Sequence, residues 1–581
     1  MKFTSEKTSS LDPRDVQIEE VHVDHLPPGY FRSSLFLGSM TAIGMGLLSA
    51  IAGFAYAAPI LGVINNDIGP SPNLSWVAIV YTLMIAVGLT IVGRFTDIFG
   101  RRYTFIGGAA LGVVGSIVSA TAPTINALIA GMTLIGLAAS TQVSYFYVTA
   151  ELIPSNYRFV GNAVMYIFAT PGGAFSPAIA NSAILHTPTG WRTCFYILIG
   201  YNAVALACWV LFYRPPTFKM KHQSGNRLLY AKKFDFVGLV LFAGGLLVFL
   251  MGLQWGGTVY PWDSAHVLGT LIAGGASLVA FVSWETFAQL EEPLVPIQLL
   301  KSVPWAAAVV LSGLGASLYY ALAVVWPSMV TIIYPTGDTI TDGMIASIVG
   351  AGWVAGEILS GFLAKPIKRV KWQSIVTIAA AGIFLACMAT CTPDTKTRAC
   401  VLLSLSVFLA GYVEGLSLTT TTLVLPDQQQ MGSGCGFGGT IRFTITTIAT
   451  AIYSVVLTDR LSVTVPREVA SAVESAGLPP STVADFIAAF STGNGLQEIP
   501  DTTPSIIQKV FRAYQIANAD AYRMVFYTTI AFCGAGIISA LFLPNVDDLM
   551  TGEVATRLYE KKEREDIVAR VEMKRGHIAS A

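Results

Sequence analysis

Three ionisable residues interrupt otherwise apolar runs: Glu357, Glu414 and Arg442. A charge inside a membrane-length apolar run costs roughly 2.5–3.5 kcal/mol on insertion scales and marks function by default. A carboxylate that alternates between a paired and an open state takes up and releases a proton. Glu414 with Arg442 therefore reads as a proton-coupling pair. Leu425 follows Glu414 by eleven residues and Arg442 follows Gly436 by six. At ~1.5 Å per residue these offsets are about 16 Å and about 9 Å of helix, so both charges lie within the membrane. A permanent bridge that only fixes two neighbouring helices is the competing reading. Glu357 falls about one turn before Gly361, near the inner mouth, where coupling and a structural pair both remain open. The six histidines (22, 25, 186, 222, 266, 577) fall in tails or near span ends. Carboxylates are thus the obvious proton carriers.

A second constellation is the turn Gly93-Arg94-Phe95-Thr96-Asp97-Ile98-Phe99-Gly100-Arg101-Arg102 between the apolar runs Trp76–Val92 and Tyr103–Ala120. Each run approaches the ~20 residues a helix needs to cross a bilayer. Positive charge in so short a loop marks the cytoplasmic side. Asp97 can receive an arginine fork or cap a helix. The plain reading is a membrane hairpin stapled by charges. Glu151 and Arg158 end the fourth span on the same side and read either as a charge lock across the inner mouth or as solvated loop charges.

A polar cavity has further candidates. Gln142 and Asn181 place amides in spans four and five. Tyr145, Tyr147, Tyr319, Tyr320, Trp326, Trp353 and Tyr412 could line an amphiphilic cavity, against an ordinary place in the core or the lipid belt. No residue is assigned a catalytic role, and no enzyme activity is expected.

The elements that must hold these residues are fourteen apolar helical spans, an all-α polytopic membrane protein. Residues 1–33 read as a cytoplasmic tail, 34–213 as a first six-helix bundle, and 214–234 as a basic cytoplasmic linker. An extra helix pair covers 235–290. A second six-helix bundle covers 291–543 and includes a long extracellular loop, 458–523, with amphipathic helical stretches. A cytoplasmic tail, 544–581, follows. Loops 2–3, 6–7 and 10–11 are strongly basic, so both ends are expected inside. The N-terminal stretch is polar through Gly29, and no cleavable signal peptide is expected. A faint repeat sets Gly361, Lys365, Lys368 and Arg369 at the offsets of Gly93, Asp97, Gly100 and Arg101, as duplicated transporters show.

Composition excludes several classes. The 581 residues are 53% hydrophobic and 12% charged, with mean hydropathy +0.61; soluble proteins carry about 25% charged residues. The formal net charge of zero argues against a nucleic-acid partner. The seven cysteines form no C-x-x-C pair, so neither a disulfide framework nor a metal site is expected. No phosphate-binding G-x-x-x-x-G-K-[ST] occurs, so nucleotide binding of that kind is not expected and no cofactor is needed. The energy source is then an ion or substrate gradient.

The spacing G-x-x-x-D-x-x-G-R-R resembles the loop 2–3 signature of the major facilitator superfamily. The wider pattern is similar to fungal fourteen-span drug:proton antiporters, and closest to the trichothecene efflux pump family. It includes Trp76-x4-Tyr81-x3-Ile85-x2-Gly88, Leu26-Pro27-Pro28-Gly29-Tyr30, Tyr213-Arg214-Pro215-Pro216-Thr217-Phe218, Gly252-Leu253-Gln254-Trp255-Gly256-Gly257 and Glu292-Pro293-Leu294-Val295-Pro296. The resemblance implies a major facilitator fold with an inserted helix pair. It also implies an inner gate built on Gly93, Asp97, Gly100, Arg101 and Arg102. Two departures stand out. Met132 and Ile135 occupy places where such antiporters carry arginine and glutamine. The span-five antiporter signature survives only as Gly172, Ser176, Pro177 and Ala180.

The function so implied is secondary active transport: proton-coupled efflux of a small amphiphilic metabolite, mycotoxin or drug. The expected setting is the plasma membrane, with a vacuolar or vesicle membrane as the alternative, and a monomer in the lipid bilayer is expected. Iron-siderophore uptake on the same fold is one alternative. A non-transporting membrane sensor is another, against which the short charged stretch after Leu543 speaks.

Overall fold

Long apolar runs with few breakers leave the backbone one solution in lipid, the helix, which satisfies every N–H and C=O internally. The computed structural model describes residues 26–71, 73–216, 232–257, 259–288, 290–492, 495–496, 499–500, 502–561, 563–564 and 567. The tail 1–25, most of the basic linker (217–231) and residues 568–581 lie outside that set. Thirteen helices among the described residues are long and apolar enough to cross a membrane, and a bent pair makes a fourteenth.

We number these spans in chain order. The first six are span 1 Ser34–Ile68, span 2 Trp76–Phe99, span 3 Arg101–Ala120, span 4 Ile125–Leu152, span 5 Ser155–His186 and span 6 Arg192–Leu211. Then come span 7 Phe236–Trp255 and span 8 Ala265–Phe287. The last six are span 9 Val303–Ile332, span 10 Thr339–Ile367, span 11 Val370–Met388, span 12 Lys396–Leu423, span 13 Met431–Ser475 and span 14 Pro504–Leu541. Span 5 bends by 43° between Ala174 and Ser176. Pro171 and Pro177 flank the bend. Each lacks the N–H that would continue the helical ladder, so the bend has a covalent cause.

Spans 1, 3, 4 and 6 pack on one another, as do spans 9, 11, 12 and 14. The two bundles meet along two helix pairs, span 2 with span 13 and span 5 with span 10. Glycine permits both approaches. A Cβ on Gly93 would stand 2.2 Å from the Gly432 carbonyl oxygen, and one on Gly361 would stand 2.4 Å from that of Phe159. The two glycines of the faint repeat thus do the same thing in the two bundles: each lets its helix touch the opposite bundle's backbone. The repeat reaches the turn as well. Gly100 has φ +93°, and Lys368, at the matching offset, has φ +60°.

Span 7 lies against both span 2 and span 13, and span 8 packs on span 7. The inserted pair therefore sits on the seam between the bundles. Trp284 donates to the Asp235 carboxylate at 3.0 Å, the same carboxylate oxygen that accepts from the Gly238 N–H at 2.8 Å. Arg94 of span 2 pairs with Glu292 just before span 9, which ties this segment to the arginine-rich turn.

The excursion 458–523, expected as a long loop with amphipathic helical stretches, is largely helical. Span 13 runs 45 residues and span 14 runs 38, about 68 Å and about 57 Å at 1.5 Å per residue, against a hydrocarbon core of ~30 Å. Beyond the membrane they close on the short helix Thr482–Thr492. Val469, Val473, Phe486, Val510 and Tyr514 form a small core there. That apolar stripe explains why the excursion folds instead of trailing as loop.

Candidate functional site

The site begins at the seam. Span 10 turns one face toward span 5, and Gly350, Trp353, Glu357 and Gly361 recur on it at helical spacing. Residues one turn apart on a helix are neighbours, so Trp353 and Glu357 lie side by side. Glu357 and Glu414 are fully buried and Arg442 nearly so. Arg442 pairs with Glu414 through Nη2 and Oε1. The other oxygen of Glu414, Oε2, accepts from the Trp353 indole N–H at 2.7 Å. Across the seam, Asn162 Nδ2 donates to Glu357 Oε2 at 3.3 Å, and Tyr166 faces the same carboxylate. Glu357 Oε1 is buried with no hydrogen-bond partner among the described residues.

This is one cluster of two carboxylates and one guanidinium. With both carboxylates ionised it carries formal charge −1; with one proton it is neutral. A buried charge without a partner is costly. The sequence sets Glu357 near the inner mouth as a further coupling candidate, with a structural pair as the alternative. The structure puts it beside Glu414 and Arg442, because spans 10 and 12 pack closely and point both acids into the seam.

Aromatic rings surround the cluster. Tyr319 stacks on Trp353 with centroids 4.2 Å apart and meets Tyr320 edge-on at 5.2 Å. Tyr320 touches Phe54 of span 1 and Phe443 of span 13. Tyr166 meets Trp353 at 5.3 Å and accepts from the Tyr145 hydroxyl at 3.1 Å. Rings from both bundles therefore close on one another at the centre, and an amphiphile entering here must part Phe54 from Tyr320 and Tyr166 from Trp353.

Other cavity candidates lie elsewhere. Gln142 donates to Asn202 at 2.7 Å inside the first bundle. Tyr412 turns away from Glu414, since two residues on a helix are about 200° apart, and donates to Gln373 of span 11 at 2.7 Å. Tyr412 is thus not a cavity residue. Asn181 sits at the end of span 5 far from the arginine-rich turn. It donates to the Thr339 carbonyl at 2.9 Å, where span 10 begins, so it belongs to the closure at that end of the seam. Of the span-5 signature, Gly172 packs on Leu48 and Ala52 of span 1, and Ser176 donates to the Gly172 carbonyl. Pro177 begins the second segment, and Ala180 is fully buried. Met132 and Ile135 are buried core residues.

At the basic end the two bundles are latched. Asp97 accepts from the N–H of Gly432 at 3.2 Å, the N–H of Ser433 at 2.6 Å and the Ser433 hydroxyl at 2.8 Å. It therefore satisfies the free donors at the start of span 13 and places a negative charge on that helix's positive end. Arg101 donates to Asp97 at 3.2 Å and pairs with Glu151. Arg102 donates to the Val210 carbonyl of span 6 at 2.7 Å and stays within the first bundle. Arg158 reaches across in the other direction, to the Thr422 carbonyl and the Gln428 side chain, both at 3.0 Å. A cation thus meets the negative end of span 12 while an anion meets the positive end of span 13. Glu151 and Arg158 do not pair with each other; each serves a different part of this latch.

The segment after span 14 runs beneath the latch. Asp547 accepts from the Arg369 N–H at 3.1 Å. Thr551 and Glu553 carbonyls accept from Asn156 and Ser155, and the N–H groups of Thr556 and Tyr559 donate to the carbonyls of Glu151 and Arg214. Burial pushes the Tyr30 hydroxyl well above its usual range, against the opposing pull of Leu558 and Arg557, so it stays protonated there. Asn162, Tyr166, Ser433, Gln428 and Arg94 escaped the sequence reading. The i,i+4 pair Asn162 and Tyr166 within an apolar run was a usable signal; backbone partners were not.

The comparisons agree with this architecture. The model of the fungal trichothecene efflux pump family (TRI12) matches residues 10–575. The trichothecene efflux pump TRI12 of Fusarium sporotrichioides is 27% identical over 546 residues, covering 92% of this chain and 90% of that protein. Its counterpart from Trichoderma arundinaceum is 27% identical, covering 93% and 91%. The MFS-type transporter prx5 of Penicillium rubens is 27% identical over 76% of this chain and 80% of its own. The solved human organic anion transporter MFSD10 superposes with TM-score 0.54 at 12% identity, covering 89% of this chain and all of that one. The proton:xylose symporter XylE gives 0.52 at 15%, covering 93% and 100%. At such identities the two structures establish the major facilitator fold alone. With its membrane-spanning helices arranged in that fold and its sequence matched nearly end to end, the chain is an integral multi-pass efflux transporter and belongs to the fungal trichothecene efflux pump family.

Proposed function

We propose that this protein exports a small amphiphilic secondary metabolite of the trichothecene type, a mycotoxin or a drug across the plasma membrane, driven by proton entry and without a cofactor. The basic end of the bundle faces the cytoplasm in this reading, by the excess of Lys and Arg in its short loops. The observation that carries the proposal is Glu357: a fully buried carboxylate with one oxygen unpartnered among the described residues, beside a Glu414–Arg442 pair. A proton on Glu357 removes the cluster's net charge. Its loss restores that charge and favours rearrangement along the span 5–span 10 seam, where Asn162 holds the same carboxylate from the opposite bundle. Substrate and proton then alternate through rocking of one bundle against the other.

The test is Glu357→Gln in proteoliposomes loaded with a radiolabelled trichothecene. Export driven by a pH gradient falls roughly tenfold or more, about 1.4 kcal/mol of barrier, while exchange of labelled for unlabelled compound continues. Undiminished gradient-driven export at equal reconstitution would overturn the assignment of Glu357.

A further inference from the structure

We infer that Trp353 is the positioning residue through which cavity occupancy acts on the proton site. The inference rests on the proton-coupled reading above. Three contacts meet on this one side chain. Its ring stacks on Tyr319 at 4.2 Å, 20° from parallel. Its edge meets Tyr166 of the opposite bundle at 5.3 Å. Its N–H donates to Glu414 Oε2 at 2.7 Å. It also stands one helical turn from Glu357 on the same face. A buried indole N–H needs an acceptor, so the ring and the carboxylate move together.

A substrate that parts Tyr166 from Trp353 or slips under Tyr319 must shift the indole. That shift takes the donor from Glu414. The loss changes how Arg442 is shared between Glu414 and Glu357, and with it the cluster's hold on its proton. The groups facing Glu414 are Arg442 from span 13, Glu357 from span 10, Tyr145 and Tyr166 from the first bundle, and Tyr319 and Tyr320 from span 9. Trp353 joins the stacked rings to Glu414 of this cluster by a hydrogen bond.

The experiment measures two quantities on purified protein in weakly buffered detergent, with a trichothecene as the probe: binding, and the proton movement that binding evokes. Trp353→Phe keeps a ring against Tyr319 and removes the N–H. At saturating probe the proton signal per bound trichothecene falls roughly tenfold, the scale of a lost donor to a charged acceptor, whatever the change in the binding constant. Trp353→His, which returns a ring N–H, recovers part of the signal. Should Trp353→Phe fail to assemble, Tyr319→Leu serves instead: it leaves the donor, removes the stack, and lowers the evoked signal per bound trichothecene. A wild-type signal in Trp353→Phe, or in Tyr319→Leu, overturns the inference alone. Absence of any evoked signal in the wild type overturns the proton-coupled reading and this inference with it.

Discussion

Lys368 shows how one residue can carry the trace of a duplication. Its φ of +60° and ψ of −175° lie in a region that glycine occupies freely and other residues avoid, at about 1–3 kcal/mol. Gly100 holds the matching place in the first copy with φ +93°. Both residues end a seam helix and begin the turn to the next. Replacing Lys368 by glycine relieves that strain, less the ~0.5–1 kcal/mol of extra chain entropy that glycine loses on folding. Lys368→Gly is therefore expected to raise stability by about 1 kcal/mol, read as a higher Tm in detergent. An unchanged or lower Tm would mean the turn is unstrained. Arg158 teaches a different lesson at this scale. Its charge was evident in the sequence, but its partner is the Thr422 carbonyl, which no side-chain pattern can reveal.

At the scale of the helix, the two seam pairs decide which states the protein can reach. Span 2 and span 13 approach so closely at Gly93 that any side chain there meets the Gly432 carbonyl. Backbone cannot give way as a flexible side chain can, so Gly93→Val is expected to hold the basic end open while leaving the rest of each bundle intact. Cys435 is a native reporter: it is fully buried on span 13 beside the latch. In a variant whose other cysteines are serine, maleimide should modify Cys435 at least roughly tenfold faster with Gly93→Val, a population shift of about 1.4 kcal/mol. Equal rates would show that the seam closes without this contact. The legibility of the sequence follows the same physics. Hydropathy suffices for the spans, because the cost of charge in lipid is local and large. Rotation of each span about its axis is set by packing partners, so Tyr412 and Asn181 were assigned to a cavity they do not face. The amphipathic stretches beyond the membrane are legible, but the partners of the stripe Val465–Val469–Val473, Phe486 and Val510, are set by packing.

At the scale of the whole molecule, the segment after span 14 leaves the second bundle and docks on the first. Asp547 still holds to Arg369 of its own bundle. From Thr551 onward the backbone pairs with Ser155, Asn156, Glu151 and Arg214 of the first bundle through four hydrogen bonds. Each is worth roughly 0.5–1.5 kcal/mol net, so together they favour the closed basic end by roughly 2–6 kcal/mol. Two of them fall at Glu151 and Ser155, the residues that bracket the Pro154 corner between spans 4 and 5. Any rocking that opens the latch moves Arg158 and Asp97 away from spans 12 and 13, and must also peel this strap from that corner. The fold itself does not need it, because both bundles are complete without it. A chain ending at Met550 is therefore expected to reach the membrane and bind substrate, with Cys435 modified roughly tenfold or more faster than in the full chain. Double truncation with Gly93→Val should add little, since both act on one closure and such coupled changes are not additive. Unchanged Cys435 reactivity in the shortened chain would show that Asp97 and Arg158 hold the basic end closed unaided.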